Sequence, residues 1–196
     1  MNSIEIDQND IFLNAKSLKP EYRILDIGGG GEGIISKLYN RQVVAIDISE
    51  DELVEIEKEK SLKIIMDATN LFFIDNQFDK VTAFYSFMYM KDRQIEKAIS
   101  EAVRVLKPAG EIEIWDVEMP SINEIEEDIF IAQVKVSFNN TFVTTGYGVK
   151  LRPKKRSFEF YKDIILDKNL EIIDYSLNKS SHFHFLLRKE SWFSKV

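Results

Sequence analysis

The chain has 196 residues, of which 44% are hydrophobic and 12% aromatic, enough apolar material for the core of one domain of ordinary size. The absence of cysteine excludes disulfides and thiolate chemistry, and a net charge of −7 gives no overall attraction to nucleic acid. No apolar run approaches the roughly 18–20 residues that span a bilayer, and the acidic N-terminus does not resemble a secretory signal. We therefore expect a single domain over residues 1–196, cytoplasmic, without a metal and without membrane association.

Strand and helix patterns alternate along the middle of the chain. Helical spacing of apolar residues follows the first strand, Ser49 has the sequence context of a helix N-cap, and Asp92 is expected to cap the most regular helix. Because helices connect the strands, the sheet should be parallel, and ligands of such sheets bind beyond the carboxyl ends of the strands. The apolar runs that predict strands cover residues 22–27, 42–48, 62–66, 78–85 and 111–117.

The flanking segments carry weaker patterns. Residues 1–21 are predicted to be a helical or lid segment. An insertion is predicted over 119–150, with a helix over 122–136 and a hairpin or flap over 135–150. A closing unit over 157–190 should contain a helix and two strands, over 170–177 and 183–188.

A run of glycines follows the first strand and leads directly into a helix. Gly28, Gly30 and Gly33 have the G-x-G-x-x-G spacing of a dinucleotide-binding loop, and Asp47 ends the second strand where a ribose-binding acid belongs. Glycines at such a turn let the backbone approach a ligand without a Cβ in the way. Alone, this motif fits a nicotinamide-dependent oxidoreductase or a methyltransferase.

Two observations favour the methyltransferase. Asp26, two residues before the first glycine, can assist the binding of an amino-acid ammonium, and Asp67-Ala68 follows the third strand, where an adenine amino group would lie. The Tyr-x-x-x-Lys pair of this chain, Tyr175 and Lys179, falls in a predicted strand, where about 3.3 Å per residue would hold the two side chains roughly 13 Å apart. The nicotinamide alternative is therefore disfavoured.

Four ordered motifs resemble those of the class I S-adenosylmethionine-dependent methyltransferases. Residues 24–30 (ILDIGGG) look like the glycine motif of that family and residues 44–49 (VAIDIS) like its acidic second-strand motif. Residues 67–81 (DATNLFFIDNQFDKV) are similar to its DA-x-x-L-P-F-x-D-x-x-F-D-x-V stretch, and residues 101–110 (EAVRVLKPAG) to its E-x-x-R-V-L-K-P-G-G element. This chain departs from the pattern at Glu32, which lengthens the glycine loop by one residue, and at Phe72, which replaces a proline.

The resemblance implies an α/β fold with one doubly wound, mostly parallel seven-stranded sheet in the order 3-2-1-4-5-7-6, with the last strand antiparallel and helices on both faces. Residues 22–117 would form the core that binds S-adenosylmethionine. Asp47 would accept hydrogen bonds from the ribose hydroxyls and Asp67 from the adenine amino group. The implied cofactor-binding residues are Asp26, Gly28, Gly29, Gly30, Asp47, Ile48, Asp67, Ala68, Thr69, Phe84 and Tyr85.

The methyl acceptor is not identified by any motif, and no residue stands out as a general base. Met88, Tyr89 and Trp115, together with the 119–150 insertion on the acceptor side, indicate an apolar, aromatic acceptor pocket. A small-molecule acceptor is therefore expected rather than a nucleic acid, and the oligomeric state is left open. His182 and His184 are expected to be packed or exposed rather than to form a metal pair or base.

Two other functions stay open. A protein or RNA methyltransferase would use the basic run 152–156 to engage its partner, although such a run is more often a solvated loop. A protein that binds S-adenosylmethionine without catalysing transfer would share every motif above.

Overall fold

The computed structural model describes residues 2–168 and 170–191. In chain order its strands are β1 (Ser3–Phe12), β2 (Ile24–Ile27), β3 (Val43–Asp47), β4 (Leu62–Ile65), β5 (Phe78–Phe84), β6 (Leu106–Val117), β7 (Ile129–Phe138), β8 (Thr141–Lys150), β9 (Leu170–Leu177) and β10 (His182–Lys189).

Four α-helices connect these strands within the described residues. They are α1 (Ile34–Tyr39), α2 (Glu50–Glu55), α3 (Asp92–Val105) and α4 (Phe158–Leu166). Ser49 caps α2 as expected, because its side chain accepts a hydrogen bond from the backbone N–H of Glu52. The expected cap of α3 is wrong by one residue. Lys91 is the N-cap and its N–H is bonded by Gln94, which leaves Asp92 free to pair with an arginine.

Seven of the described strands form the predicted sheet, in the order β4-β3-β2-β5-β6-β10-β9. Counted from β2, this is the order 3-2-1-4-5-7-6. Neighbouring strands from β4 to β6 are parallel, whereas β10 runs antiparallel to both β6 and β9. The sequence-based fold class and strand order are therefore confirmed, and the carboxyl ends of β2, β3 and β5 meet at one edge.

The N-terminal segment is a strand, so the expectation of a helical segment over residues 1–21 is wrong. Residues 3–12 pair in parallel with β7, at one edge of a separate sheet ordered β1-β7-β8. Ile4, Ile6 and Ile11 face its core, but a bulge after Ile6 interrupts the two-residue alternation, so that Asn9 also turns inward. Because of this bulge, the sequence of residues 3–12 lacks the regular alternation of apolar and polar residues that would predict a strand.

The expected helix over residues 122–136 is also wrong. Residues 129–138 form β7, in which every second side chain is buried, as is typical of a strand. The acidic stretch before β7 is not part of a helix with it. The hairpin expected over 135–150 is confirmed, with Asn139 and Asn140 at φ 47° and 61° between β7 and β8. Asparagine tolerates the positive φ that a two-residue hairpin turn requires.

Two apolar clusters lie on opposite faces of the large sheet. The first joins β2, β5, β6 and β10 to α3 and α4, and the second joins α1, α2 and the small sheet to the other face. The small sheet therefore packs over the side of the domain on which the glycine loop lies. No described helix is long and apolar enough to cross a membrane.

Candidate functional site

A cavity of about 600 Å³ lies beyond the carboxyl ends of β2, β3 and β5. Its floor is the glycine loop with the ends of these strands, and β8 of the small sheet forms part of its wall. All eleven residues that the sequence motifs imply for cofactor binding line it: Asp26, Gly28, Gly29, Gly30, Asp47, Ile48, Asp67, Ala68, Thr69, Phe84 and Tyr85.

The glycine loop passes so close to its neighbours that side chains do not fit. Gly28 has φ +66°, and a Cβ on it would lie 2.4 Å from Cβ of Ser86. A Cβ on Gly30 would lie 2.6 Å from Cβ of Glu52 on α2. These glycines therefore let the loop settle between β5 and α2.

Two carboxylates stand at strand ends on the cavity wall, each held by a short turn. Asp47 accepts a hydrogen bond from the N–H of Ser49 at 3.0 Å, and Asp67 accepts one from the N–H of Thr69 at 2.8 Å. Such turns fix the carboxylate of an aspartate relative to its own backbone. Both groups are thus oriented at the edge where ligands of parallel sheets bind.

Asp26 lies beneath the loop and is only 2% exposed. Burial raises the pKa of its carboxyl to about 7, against the opposing effect of a hydrogen bond from Thr82 Oγ1 at 2.7 Å. A cationic group placed above it would favour the ionised form. Asp26 therefore has the environment of an acid that changes its charge when an ammonium arrives.

Another wall of the cavity comes from β8, which lies within the 119–150 insertion expected on the acceptor side, although none of its individual residues was predicted for the site. The ring of Tyr147 stacks on that of Tyr85, and Thr145 donates a hydrogen bond to Glu32 of the glycine loop. Gly146 and Gly148 complete this wall. The extra loop residue, Glu32, thus joins the loop to the small sheet, a contact that only the tertiary structure reveals.

The lining of the cavity is acidic and aromatic. It contains six carboxylates and four aromatic rings, and no lysine, arginine or histidine is among its described residues. Ser86, also missed from the sequence, places a buried hydroxyl there that has no hydrogen-bond partner among the described residues. The acids are Asp26, Glu32, Asp47, Glu52, Glu55 and Asp67, and the rings are Phe84, Tyr85, Tyr89 and Tyr147.

Comparison with known proteins relates this site to one family. A family model described as "Methyltransferase domain" matches residues 25–114. The ubiquinone/menaquinone biosynthesis C-methyltransferase UbiE of Paraburkholderia xenovorans (strain LB400) is 33% identical over 119 residues, which are 51% of this chain and 47% of that protein. The chain thus spans about half the length of the curated relatives it matches.

Solved structures show the same fold at lower identity. A SAM-dependent methyltransferase from Methanosarcina mazei aligns with a TM-score of 0.63 and 19% identity over 89% of this chain and 95% of that one. The [4+2]-cyclase SpnF aligns with a TM-score of 0.62 and 17% identity over 89% and 77%. Residues 25–114 thus match the methyltransferase domain family, and the fold is that of a solved S-adenosylmethionine-dependent methyltransferase. The family, the fold and the cofactor implied by the sequence motifs are therefore confirmed.

The chemistry of the cavity fits the cofactor of this methyltransferase family. The carboxylates of Asp47 and Asp67, after β3 and β4, can accept hydrogen bonds from hydroxyl and amino groups, and the buried hydroxyl of Ser86, which has no partner among the described residues, lines the same cavity. The acidic lining suits a ligand whose sulfonium and ammonium groups are both positive.

The three residues expected to contact the acceptor are placed differently from one another. Tyr89 lines the cavity and is 47% exposed. Met88 is fully buried behind it, where its N–H donates to Asp116, so its side chain does not reach the cavity. Trp115 lines a second, smaller groove that is bordered by β1, β6 and β10. Only Tyr89 therefore lies where an acceptor contact was expected.

The two arginines of the basic run 152–156 have partners inside the molecule, whereas residues 153–155 are exposed, so the expectation of a solvated loop holds only for the middle of the run. Arg156 is 1% exposed and bonds Asp92 and the carbonyls of Phe87 and Met88. Arg152 donates to the carbonyl of Tyr89 at 2.7 Å. These arginines hold the segment that follows β5, which includes the cavity-lining residues Tyr89 and Met90.

The two histidines of β10 have different partners. Nδ1 of His182 lies 2.7 Å from the hydroxyl of Tyr85, whereas Nε2 of His184 lies 3.0 Å from Glu113. Neither joins a group of three metal-ligating side chains within residues 2–168 and 170–191. Both are packed rather than solvated.

Proposed function

We propose that this chain transfers a methyl group from S-adenosylmethionine to a small, aromatic acceptor that carries no negative charge. The observation that carries the proposal is the continuity of one cavity. The residues implied for cofactor binding line the same cavity as the rings of Tyr89 and Tyr147, and Tyr85 joins the two sets because its ring stacks on that of Tyr147. A volume of about 600 Å³ is within the range of small-molecule sites.

The charge of the lining supports an acceptor without phosphate or carboxylate. Six acids and no basic side chain face the cavity, so an anionic acceptor would meet repulsion without a compensating partner. The aromatic walls favour flat rings and cations. The curated relatives are named for ubiquinone and menaquinone biosynthesis, whose quinone rings are uncharged, and this agrees with the inference.

Methyl transfer is an in-line displacement at carbon. When bound, the cofactor supplies a sulfonium methyl group that is electrophilic enough to be attacked directly. The residues of the chain would then act by holding donor and acceptor in line and by excluding water, which together provide a large part of such a rate enhancement. The Tyr85–Tyr147 pair and the Glu32–Thr145 contact join β8 to the residue after β5 and to the glycine loop on the cavity wall.

Binding without methyl transfer is the main alternative. The same fold occurs in the [4+2]-cyclase SpnF, so the likeness of fold does not establish the reaction. A protein or RNA substrate is less well supported, because Arg152 and Arg156 of the basic run have intramolecular partners.

A matched series of phenols tests the proposal. Tyramine, p-cresol and 4-hydroxyphenylacetate share one ring and differ in the charge of the para substituent. Incubated with S-adenosylmethionine carrying a labelled methyl group, tyramine and p-cresol should bind to or be methylated by the protein at least about ten times better than the acid. Equal handling of the acid would contradict the acceptor assignment. Tight binding of S-adenosylhomocysteine without turnover across a broad acceptor panel would favour the catalytically silent alternative.

A further inference from the structure

A buried hydrogen bond links Tyr85 of the cavity wall to His182 on β10, within a longer chain of hydrogen bonds that reaches the exposed Asn178. Tyr85 directly follows β5 and has φ +49°, a left-handed backbone conformation that is costly for a bulky residue. Its side chain is almost completely buried, and its ring stacks on Tyr147 with centroids 5.0 Å apart. The strain at Tyr85 is therefore held by contacts of its side chain.

Backbone N–H groups at one end of this series of hydrogen bonds determine which atoms donate and which accept. Oδ1 of Asn178 accepts the N–H groups of Ser180 and His182, so its amide nitrogen is left to donate to Oδ1 of Asn9 at 3.0 Å. The amide nitrogen of Asn9 then donates to the hydroxyl oxygen of Tyr85 at 3.2 Å. Each amide is thereby oriented by the donor before it.

The other end is fixed by a backbone acceptor. Nε2 of His182 lies 3.2 Å from the carbonyl oxygen of Asp7, which can only accept, so the proton of the neutral imidazole is on Nε2. Nδ1 is then an acceptor, and it receives the hydroxyl proton of Tyr85 at 2.7 Å. The bulge between Ile6 and Asn9 in β1 brings both the Asp7 carbonyl and the Asn9 amide to this point.

We propose that His182 is a positioning residue for Tyr85, and that its neutral Nε2–H form holds the Tyr85 ring against Tyr147 as the wall of the acceptor pocket. Protonation would replace the acceptor at Nδ1 by a donor. The hydroxyl of Tyr85 would then face two donors, Asn9 and the imidazolium, and its own proton would lose its partner.

The surroundings of His182 keep it neutral. Burial lowers its pKa, although the hydrogen bond to the Asp7 carbonyl acts in the opposite direction. Val117 of β6 lies opposite it in register, and the neighbouring Asp116 is a buried acid whose pKa burial raises to about 7. The Tyr85 hydroxyl faces it from β5, and burial raises the pKa of that hydroxyl above its usual value, so the phenol is also neutral.

The chain contains only two histidines, which makes the proposal directly testable by NMR without any ligand. In protein labelled with ¹⁵N-histidine, His182 should show the Nε2–H tautomer at pH 7 and titrate below the usual value for histidine. Tyr85→Phe should raise its midpoint by about 0.5 pH unit or more, because the hydrogen bond to the neutral form is lost, and should leave His184 unchanged. An Nδ1–H tautomer, or a midpoint unaffected by Tyr85→Phe, would overturn the proposal.

Contacts between rings test the positioning itself. Nuclear Overhauser effects between Tyr85 and Tyr147 should be lost in His182→Leu, restored in His182→Asn, whose side-chain oxygen can take the place of Nδ1, and retained in the control His184→Leu. Persistence of these effects in His182→Leu would overturn the proposal.

The role in acceptor binding rests on the proposed function, but these spectra do not. Failure to bind S-adenosylhomocysteine would refute the methyltransferase proposal alone. An altered tautomer or unchanged ring contacts would refute the role of His182 alone.

Discussion

The ring of Tyr147 on β8 lies 5.0 Å from the ring of Tyr85 at the end of β5, with only 9° between their planes. This contact joins the small sheet to the large one across the cavity, and so brings a segment from outside the methyltransferase match into the candidate site. Both sheets therefore contribute to the lining of the cavity.

This contact should be measurable as a coupling free energy. The variants Tyr85→Leu and Tyr147→Leu, alone and combined, should show a coupling of about 0.5–1.5 kcal/mol in urea unfolding, since offset aromatic pairs contribute this much beyond buried area. The control Phe142→Leu, 62% exposed on the same strand, should change stability by less than about 0.5 kcal/mol. Additive effects of the two tyrosine variants would show that the rings do not interact.

The glycine loop should not tolerate a methyl group at its first position. Gly28→Ala combines a left-handed φ with a 2.4 Å approach to Ser86, and should lower the free energy of unfolding by about 1–3 kcal/mol. Gly148→Ala is a matched control, because its nearest neighbour atom would be 3.9 Å away. Adding Ser86→Gly to Gly28→Ala should recover only part of the loss. If Ser86→Gly restored the full stability, the clash with Ser86 would account for the whole effect of Gly28→Ala. If Gly28→Ala caused no loss of stability, the loop geometry would be contradicted.

Much of the core was predictable from the sequence because its elements follow simple periods. The strand order and the eleven cofactor-side residues came from motifs that fall at strand ends, where the fold itself sets the position of each side chain. The 119–150 insertion was expected on the acceptor side, but the contact of Tyr147 with Tyr85 was not predictable, because it depends on the pairing of β1, β7 and β8.

The two wrong secondary-structure predictions have a common cause. In β1 a bulge breaks the alternation between Ile6 and Asn9, and before β7 an acidic stretch masks the point at which alternation begins. Similarly, the sequence of residues 152–156 shows charge but not burial, so the internal role of Arg156 could not be inferred from it.

Arg156 should be among the most sensitive positions outside the cavity. Arg156→Met removes the charged donor from two buried carbonyls and from Asp92, and should destabilise the fold by about 2–4 kcal/mol. Lys155→Met, on an exposed neighbour, should change it by less than about 0.5 kcal/mol. Equal urea midpoints for the two variants would place Arg156 in solvent.

Cofactor binding should release a proton near neutral pH. Because burial raises the pKa of Asp26 from 3.8 to about 7, its carboxyl is largely protonated in the free protein at pH 6, and a bound ammonium would favour ionisation. Affinity for S-adenosylhomocysteine should therefore rise from pH 6 to pH 8. Calorimetry in buffers of different ionisation enthalpy should detect the released proton in the parent and not in Asp26→Asn.

The raised pKa of Asp26 also predicts that folding stability falls as the pH rises, whereas ligand affinity increases. The raised pKa in the folded state means that the contribution of Asp26 to stability is complete below about pH 4 and is lost as the pH rises through about 7. Asp26→Asn should flatten this part of the pH dependence. An unchanged slope in that variant would contradict the assignment to Asp26.

The most direct test of the account is calorimetric titration of the protein with S-adenosylhomocysteine and, in parallel, with NAD. One equivalent of S-adenosylhomocysteine should bind, NAD should not, and Asp47→Ala should weaken the binding by about 1.5–3 kcal/mol while the control Asp51→Ala on the exposed start of α2 leaves it unchanged. Absence of binding, preference for NAD, or an Asp47→Ala variant as tight as the parent would contradict the assignment of this cavity to the methyl donor.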